Sequence, residues 1–207
     1  MCKKIIGIVE DSVDDFNCAA TTIYGNSDYD SLLIQDLNIE TILSLISEGG
    51  ISALMIDYNI NFDKENKKGA TLFKLIKNKV PAFPIVILTA LPEAVKETFE
   101  VDADKIYEKT KFFKSEGEYA REKVCHLVDN INQFHYKLNQ KESNILAIIK
   151  KGKNIDINDY TKLIHLQDEL SMYNVNLDSI PQELKNLDSF TKANELIEKI
   201  ENLIDKL

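Results

Sequence analysis

Over the first half of the chain, short uninterrupted apolar runs alternate with longer amphipathic stretches. The runs are Ile5-Ile6-Gly7-Ile8-Val9, Leu32-Leu33-Ile34, Ala53-Leu54-Met55-Ile56, Pro84-Ile85-Val86-Ile87-Leu88 and the weaker Lys105-Ile106-Tyr107-Glu108. Runs so short and so rich in isoleucine and valine suit strands covered on both faces, as in a parallel sheet. Between them, residues 14–25, 39–48, 70–79 and 92–101 carry apolar side chains three and four apart, Ile42, Leu45 and Ile46 for example, and this spacing predicts helices. Strand and helix in strict alternation give a five-stranded, doubly wound α/β domain over residues 1–125.

The period changes after about Ser115. Val124, Leu127, Ile131, Phe134, Leu138, Ile145 and Ile148 recur on alternating three- and four-residue steps, with Lys141 interrupting the seam. This predicts one long helix running past the domain edge and ending at Gly152. Tyr160, Leu163, Ile164, Gln167 and Leu170 mark a second helix, and Phe190, Ala193, Ile197, Ile200, Ile204 and Leu207 a third. Residues 126–207 are therefore expected to form an all-α extension, a helical output or interaction module. Its three seams can close on one another in cis, over 115–151, 157–173 and 189–207, or pair with a second copy. The closed bundle and a monomer are preferred, because Lys141 spoils a long dimer zipper.

Composition narrows the function classes. Of 207 residues 44% are hydrophobic and Gly plus Pro total 11, enough apolar content for a packed core. The net charge is −9, and Arg121 is the single arginine among 25 bases. The extension alone holds 10 bases and 13 acids. Polyanion binding needs clustered base, so neither nucleic acid nor a DNA-binding regulator is favoured. Cys2, Cys18 and Cys125 have no metal or disulfide spacing and read as free thiols. No stretch is long enough for a signal peptide or a membrane span, so a cytoplasmic location and no membrane partner are expected. His126, His135 and His165 lie on helical segments and read as structural or solvated histidines.

In a doubly wound sheet, chemistry collects at the carboxyl ends of the strands. Glu10 and Asp11 follow the first strand, Asp57 closes the third, Thr89 follows the fourth and Lys109 the fifth. Three carboxylates at one edge repel strongly unless a cation neutralises them. Mg2+, which takes one or two carboxylates, several waters and a phosphate, answers that need. Asp57 is then the nucleophile toward phosphorus, Lys109 the charge for phosphoryl oxygens and Thr89 a neutral donor. The competing reading is a plain ion network in which Lys109 pairs with Asp57.

The order of Ile8-Val9-Glu10-Asp11-Ser12, Leu54-Met55-Ile56-Asp57, Ile87-Leu88-Thr89-Ala90 and Lys109 resembles the receiver domain of bacterial two-component response regulators over residues 3 to about 125. The resemblance implies a flavodoxin-like sheet in the order 2-1-3-4-5. It also implies a phosphoryl group accepted on Asp57 from a histidine kinase or phosphotransfer protein, and no enzyme activity beyond self-catalysed transfer and dephosphorylation. Mg2+ would be held by Asp11, Asp57 and the backbone carbonyl of Asn59, with Glu10 acting mostly through water, and the extension would signal to an unknown protein partner. The alternative is a receiver-like interaction module working without phosphorylation. Three departures from the family pattern stand out: a longer charged loop before Gly69, Lys109-Thr110 where Lys-Pro is usual, and Ile106 where the switch aromatic is expected. Without proline the Lys109–Thr110 bond should be trans, and Tyr107, one place on, should face away from Ile106.

Overall fold

The computed structural model describes residues 4–60, 69–97, 101–151 and 156–173. Several helix starts are fixed by their own side chains. The Ser12 hydroxyl accepts the Asp15 N–H, the Asn38 side chain accepts the Glu40 N–H, and Asp156 and Asp159 satisfy each other's backbone in a capping box. The elements run β1 (Ile5–Val9), α1 (Val13–Asn26), β2 (Asp30–Ile34), α2 (Ile39–Ser47), β3 (Ala53–Asp57), α3 (Gly69–Lys79), β4 (Ile85–Thr89), α4 (Pro92–Lys96), a 3-10 turn (Ala103–Lys105), β5 (Ile106–Glu108), α5 (Lys109–Phe112), α6 (Glu118–Lys150) and α7 (Ile157–Ser171).

All strand pairs are parallel and the order is β2-β1-β3-β4-β5, the flavodoxin-like arrangement expected. Strand alternation sends neighbouring side chains to opposite faces and so builds two cores. Leu54, Ile56, Ile85, Ile87 and Ile106 pack with α2 and α3, whereas Ile6, Ile8, Met55, Val86, Leu88 and Tyr107 pack with α1 and α6. Every residue of β3 and β4 is buried, which explains why these two runs are apolar throughout.

One predicted helix is shorter than its pattern. The spacing suggested 92–101, but α4 ends at Lys96 and Val101 already lies outside any helix. Val101 drops into the core, and the chain turns at once through Asp102, whose carboxylate pairs with Lys105.

The long helix is present and crosses residue 125 without a break. It starts after Gly117, not at Ser115, and its predicted stop, Gly152, lies outside the described residues. Leu127 and Ile131 are part of the α1-side core, while Phe134 reaches the α2/α3-side core. Beyond that point Ile145 and Ile148 pack against Leu163 and Leu170 of α7. Lys141, which interrupts the apolar seam, pairs with Glu169 of α7 at 2.7 Å. The predicted third helix, 189–207, lies outside the described residues; of the three expected helices the antiparallel pair α6–α7 is described.

That pair returns to the α/β unit. The Phe134 ring meets Phe83 edge-on at 5.6 Å and Tyr173 at 5.0 Å, and the Tyr173 hydroxyl accepts the Ala82 N–H at 3.3 Å. This hydrogen bond is exposed, so Tyr173→Phe is expected to cost no more than about 1 kcal/mol in urea unfolding. A much larger loss would mean that the hydroxyl holds the extension in place and the ring contacts do not. Among the described residues no helix is long and apolar enough to cross a membrane, and Cys18 and Cys125 are free and exposed.

Candidate functional site

The carboxyl ends of β1, β3 and β5 converge on one cluster. Glu10, just past β1, is 2% exposed; its Oε1 accepts the N–H groups of Asp11 and Ser12 at 3.1 and 3.2 Å, so the turn after the strand fixes this carboxylate inward. Asp57 ends β3 and is equally buried, while Asp11 is exposed at the mouth. One oxygen from each of Glu10, Asp11 and Asp57 lies within 4.8 Å of the others.

Lys109 sits among them. Its Nζ donates to Glu10 Oε2 at 2.7 Å and to Asp15 Oδ2 at 2.7 Å, and lies 3.0 Å from Asp57 Oδ1. The last contact is an ion pair without hydrogen-bond direction, for Asp57 Oδ1 is fully buried and accepts no directed hydrogen bond among the described residues. Asp15 was not expected here. It occupies the first turn of α1, where side chains lean toward the helix N-terminus and hence toward the strand edge. The only sequence signal was a further acid four residues after Asp11, and acids are common in first turns for dipole reasons.

Electrostatics follow from this packing. Burial raises the Glu10 carboxyl above its usual 4.5, and Asp57 adds to the rise, against the Lys109 and backbone hydrogen bonds that lower it. Burial alone would lower the Lys109 ammonium, but its hydrogen bonds to Asp15 and Glu10 and the negative charge of Asp57 outweigh that and hold it above the ordinary lysine range. Four carboxylates face one ammonium, which leaves a formal surplus of negative charge.

A hard divalent ion fits this donor set. The oxygens are close together and one is buried without a directed partner; these are the needs a cation such as Mg2+ meets. Glu10, Asp11 and Asp57 are the side chains that would hold it. Asn59 lies in the exposed turn two residues beyond Asp57.

Thr89 ends β4 at the same sheet edge, one place past the residue paired with Asp57. Its hydroxyl accepts the Leu91 N–H at 3.1 Å and keeps its own hydrogen to donate. Ile106 faces the α2/α3-side core and Tyr107 the opposite one, as alternation predicted. The Tyr107 hydroxyl donates to the Lys123 carbonyl at 3.1 Å, and burial pushes its phenol up. The described residues contain no cis peptide bond, so Lys109 runs trans into Thr110 and opens α5.

Asp11→Asn should weaken Mg2+ binding at least tenfold while leaving metal-free stability equal or higher, because it removes repulsion among crowded carboxylates. Glu10 adds a pH signature. Since folding raises its pKa, its contribution to stability is complete below 4.5 and fades as pH rises through the folded value. Titration calorimetry and denaturant unfolding check both; an Asp11→Asn chain clearly less stable without metal would make the cluster a structural network.

No family model and no curated protein matches the chain. It is similar to two solved structures of the Salmonella typhimurium RcsB response regulator, described in terms of conformational dynamism for DNA interaction. The first has 15% identity and a TM-score of 0.49, covering 87% of this chain and 100% of that one. The second has 14% identity and a TM-score of 0.45, covering 85% and 99%. The fold itself rests on the strand pairing: parallel order β2-β1-β3-β4-β5, with an acidic triad at the strand ends and helices α6 and α7 beyond, gives the chain a flavodoxin-like α/β fold with a helical extension.

Proposed function

We propose that the chain is a phosphoryl-accepting signalling switch. Asp57 takes a phosphoryl group from the phosphohistidine of a kinase or phosphotransfer protein, and the outcome is passed on through protein contacts of the α6–α7 extension. A carboxylate oxygen of Asp57 bonds to phosphorus as the P–N bond breaks, the electron pair returns to the imidazole nitrogen, and an acyl phosphate forms. When bound, Mg2+ would shield the crowded carboxylates and spread the charge of the transferring group. Lys109 supplies a fixed positive charge for the new oxygens, and Thr89 supplies a hydroxyl donor.

The observation that carries this reading is the buried Asp57 Oδ1, which has no directed hydrogen bond although it lies 3.0 Å from an ammonium. Buried polar atoms in folded proteins are rarely left so, and an oxygen kept in this condition beside three other acids is suited to receive an electrophile or a cation. The test is incubation with Mg2+ and a small phosphoryl donor such as acetyl phosphate, read by intact mass. Uptake of one group, suppressed by EDTA, is expected. No uptake at any donor concentration, or uptake indifferent to EDTA, overturns the proposal.

A second reading has one observation in its favour. Lys109 already meets three carboxylates, which is the arrangement of an ion network. That reading, an interaction module indifferent to phosphorylation, requires partner binding to be the same with and without a phosphoryl donor.

A further inference from the structure

Asp15 is an acid that the metal triad does not include. Glu10, Asp11 and Asp57 form the group of close oxygens, whereas the Asp15 carboxylate is spent on Lys109 at 2.7 Å. The lysine ammonium has three hydrogens. Two are used in well-made bonds to Glu10 and Asp15, while the contact with Asp57 Oδ1 at 3.0 Å is an ion pair only.

A cation among the triad changes this balance. It would neutralise Glu10 and Asp57 and set a second positive charge beside the ammonium, which weakens two of the three contacts Lys109 relies on. The carboxylate left to hold the lysine is the one outside the triad. The Asp15 side chain is 38% exposed, against 11% for Lys109, so it can serve as counter-ion without itself needing a buried partner.

Building on the phosphoacceptor reading above, we infer that Asp15 is the positioning residue for Lys109: it anchors the ammonium at the phosphoacceptor while the triad holds its cation. Asp15 touches neither the cation nor phosphorus; it acts through Lys109.

The test uses the full chain as wild type, Asp15→Asn, Asp15→Glu, Lys109→Gln and the Asp15→Asn/Lys109→Gln double variant. Phosphoryl uptake from acetyl phosphate is measured at saturating Mg2+, and the Lys109 ammonium 15N–1H resonance is followed in the Mg2+-loaded chain, where tight pairing slows exchange with water. Asp15→Asn should slow uptake about tenfold or more, since small misplacements of a charge at a reacting centre carry penalties of that order. Asp15→Glu should recover part of the rate, and Asp15→Asn should add nothing once Lys109 is Gln. The ammonium resonance, sharp in the wild type, should broaden or vanish in Asp15→Asn. A wild-type rate in Asp15→Asn, full additivity with Lys109→Gln, or an unchanged resonance overturns the inference while leaving the phosphoacceptor reading intact. A wild-type chain that takes no phosphoryl group overturns both. If Asp15→Asn does not fold, Asp15→Ser at the same first-turn position carries the same expectations.

Discussion

An Asp57→Asn chain is expected to gain no phosphoryl mass under conditions that load the wild type, and to keep its fold. An amide has the shape of the carboxylate but no nucleophilic oxygen for phosphorus, so the reaction loses its acceptor and not only a favourable contact. The fold should tolerate the change because Asp57 Oδ1 accepts no directed hydrogen bond that the amide would forfeit, and Lys109 keeps Glu10 and Asp15 at 2.7 Å. Metal-free stability should stay within about 1 kcal/mol of wild type. Mg2+ binding should weaken at the same time, since one oxygen of the triad is lost. Intact mass and denaturant unfolding measure the two arms. Phosphoryl uptake that persists in this variant would move the acceptor elsewhere and remove the central assignment.

Gly69→Ala should be the most damaging small substitution near the site. A Cβ on Gly69 would lie 2.0 Å from the backbone oxygen of Asp57, 2.9 Å from its carbonyl carbon and 3.0 Å from Ile56 Cγ2. These neighbours are mostly backbone and cannot rotate aside, so either the end of β3 or the start of α3 must move. Steric insertions into packed regions typically cost about 1–3 kcal/mol, and this one should reach the upper end. The Gly69 N–H also donates to Tyr58 O at 3.0 Å, so a shift of α3 breaks a second restraint on the turn after Asp57. Mg2+ affinity should therefore fall more than in a control such as Ile76→Val, which perturbs α3 at a distance from Asp57. Urea midpoints and calorimetry decide it; a wild-type midpoint would mean that the close approach of α3 to β3 is absent in solution.

The glycine also shows where reading the sequence stops. Strand and helix positions in the α/β unit were legible because each has its own period, and Glu10, Asp11, Asp57, Thr89 and Lys109 because acids, a hydroxyl and a base fell at strand ends. Gly69 depends on a contact with a residue twelve positions back, which no local pattern encodes. Asp15 was hidden for another reason: in a helix's first turn, an acid that caps a dipole and one that binds a distant lysine look alike. The periodicity of residues 124–148 showed an apolar stripe but not what covers it. The structure divides that stripe between the sheet, down to Phe134, and α7 beyond.

The clamp formed by Phe83, Phe134 and Tyr173 turns the α6–α7 pair into a lever. Phe83 precedes β4, whereas Asp57 ends β3, so the clamp and Asp57 lie at opposite ends of the sheet. From Phe134 to Lys150 the helix extends about 24 Å at 1.5 Å per residue. A tilt of about 10° around the clamp would carry its far end about 4 Å, which is most of a helical turn. The amino-terminal arm of the same rigid rod is tied to β5 where Tyr107 donates to the Lys123 carbonyl and the Tyr119 hydroxyl accepts the Glu108 N–H. On the same reading a displacement of β5 would be carried along α6 to the tip of the extension, since the arm from Lys123 to Phe134 is about 17 Å long against about 24 Å beyond the clamp. On the phosphoacceptor reading, a partner that senses this motion would bind the distal end, where Leu146 and Lys150 are exposed, and not the surface beside Asp57.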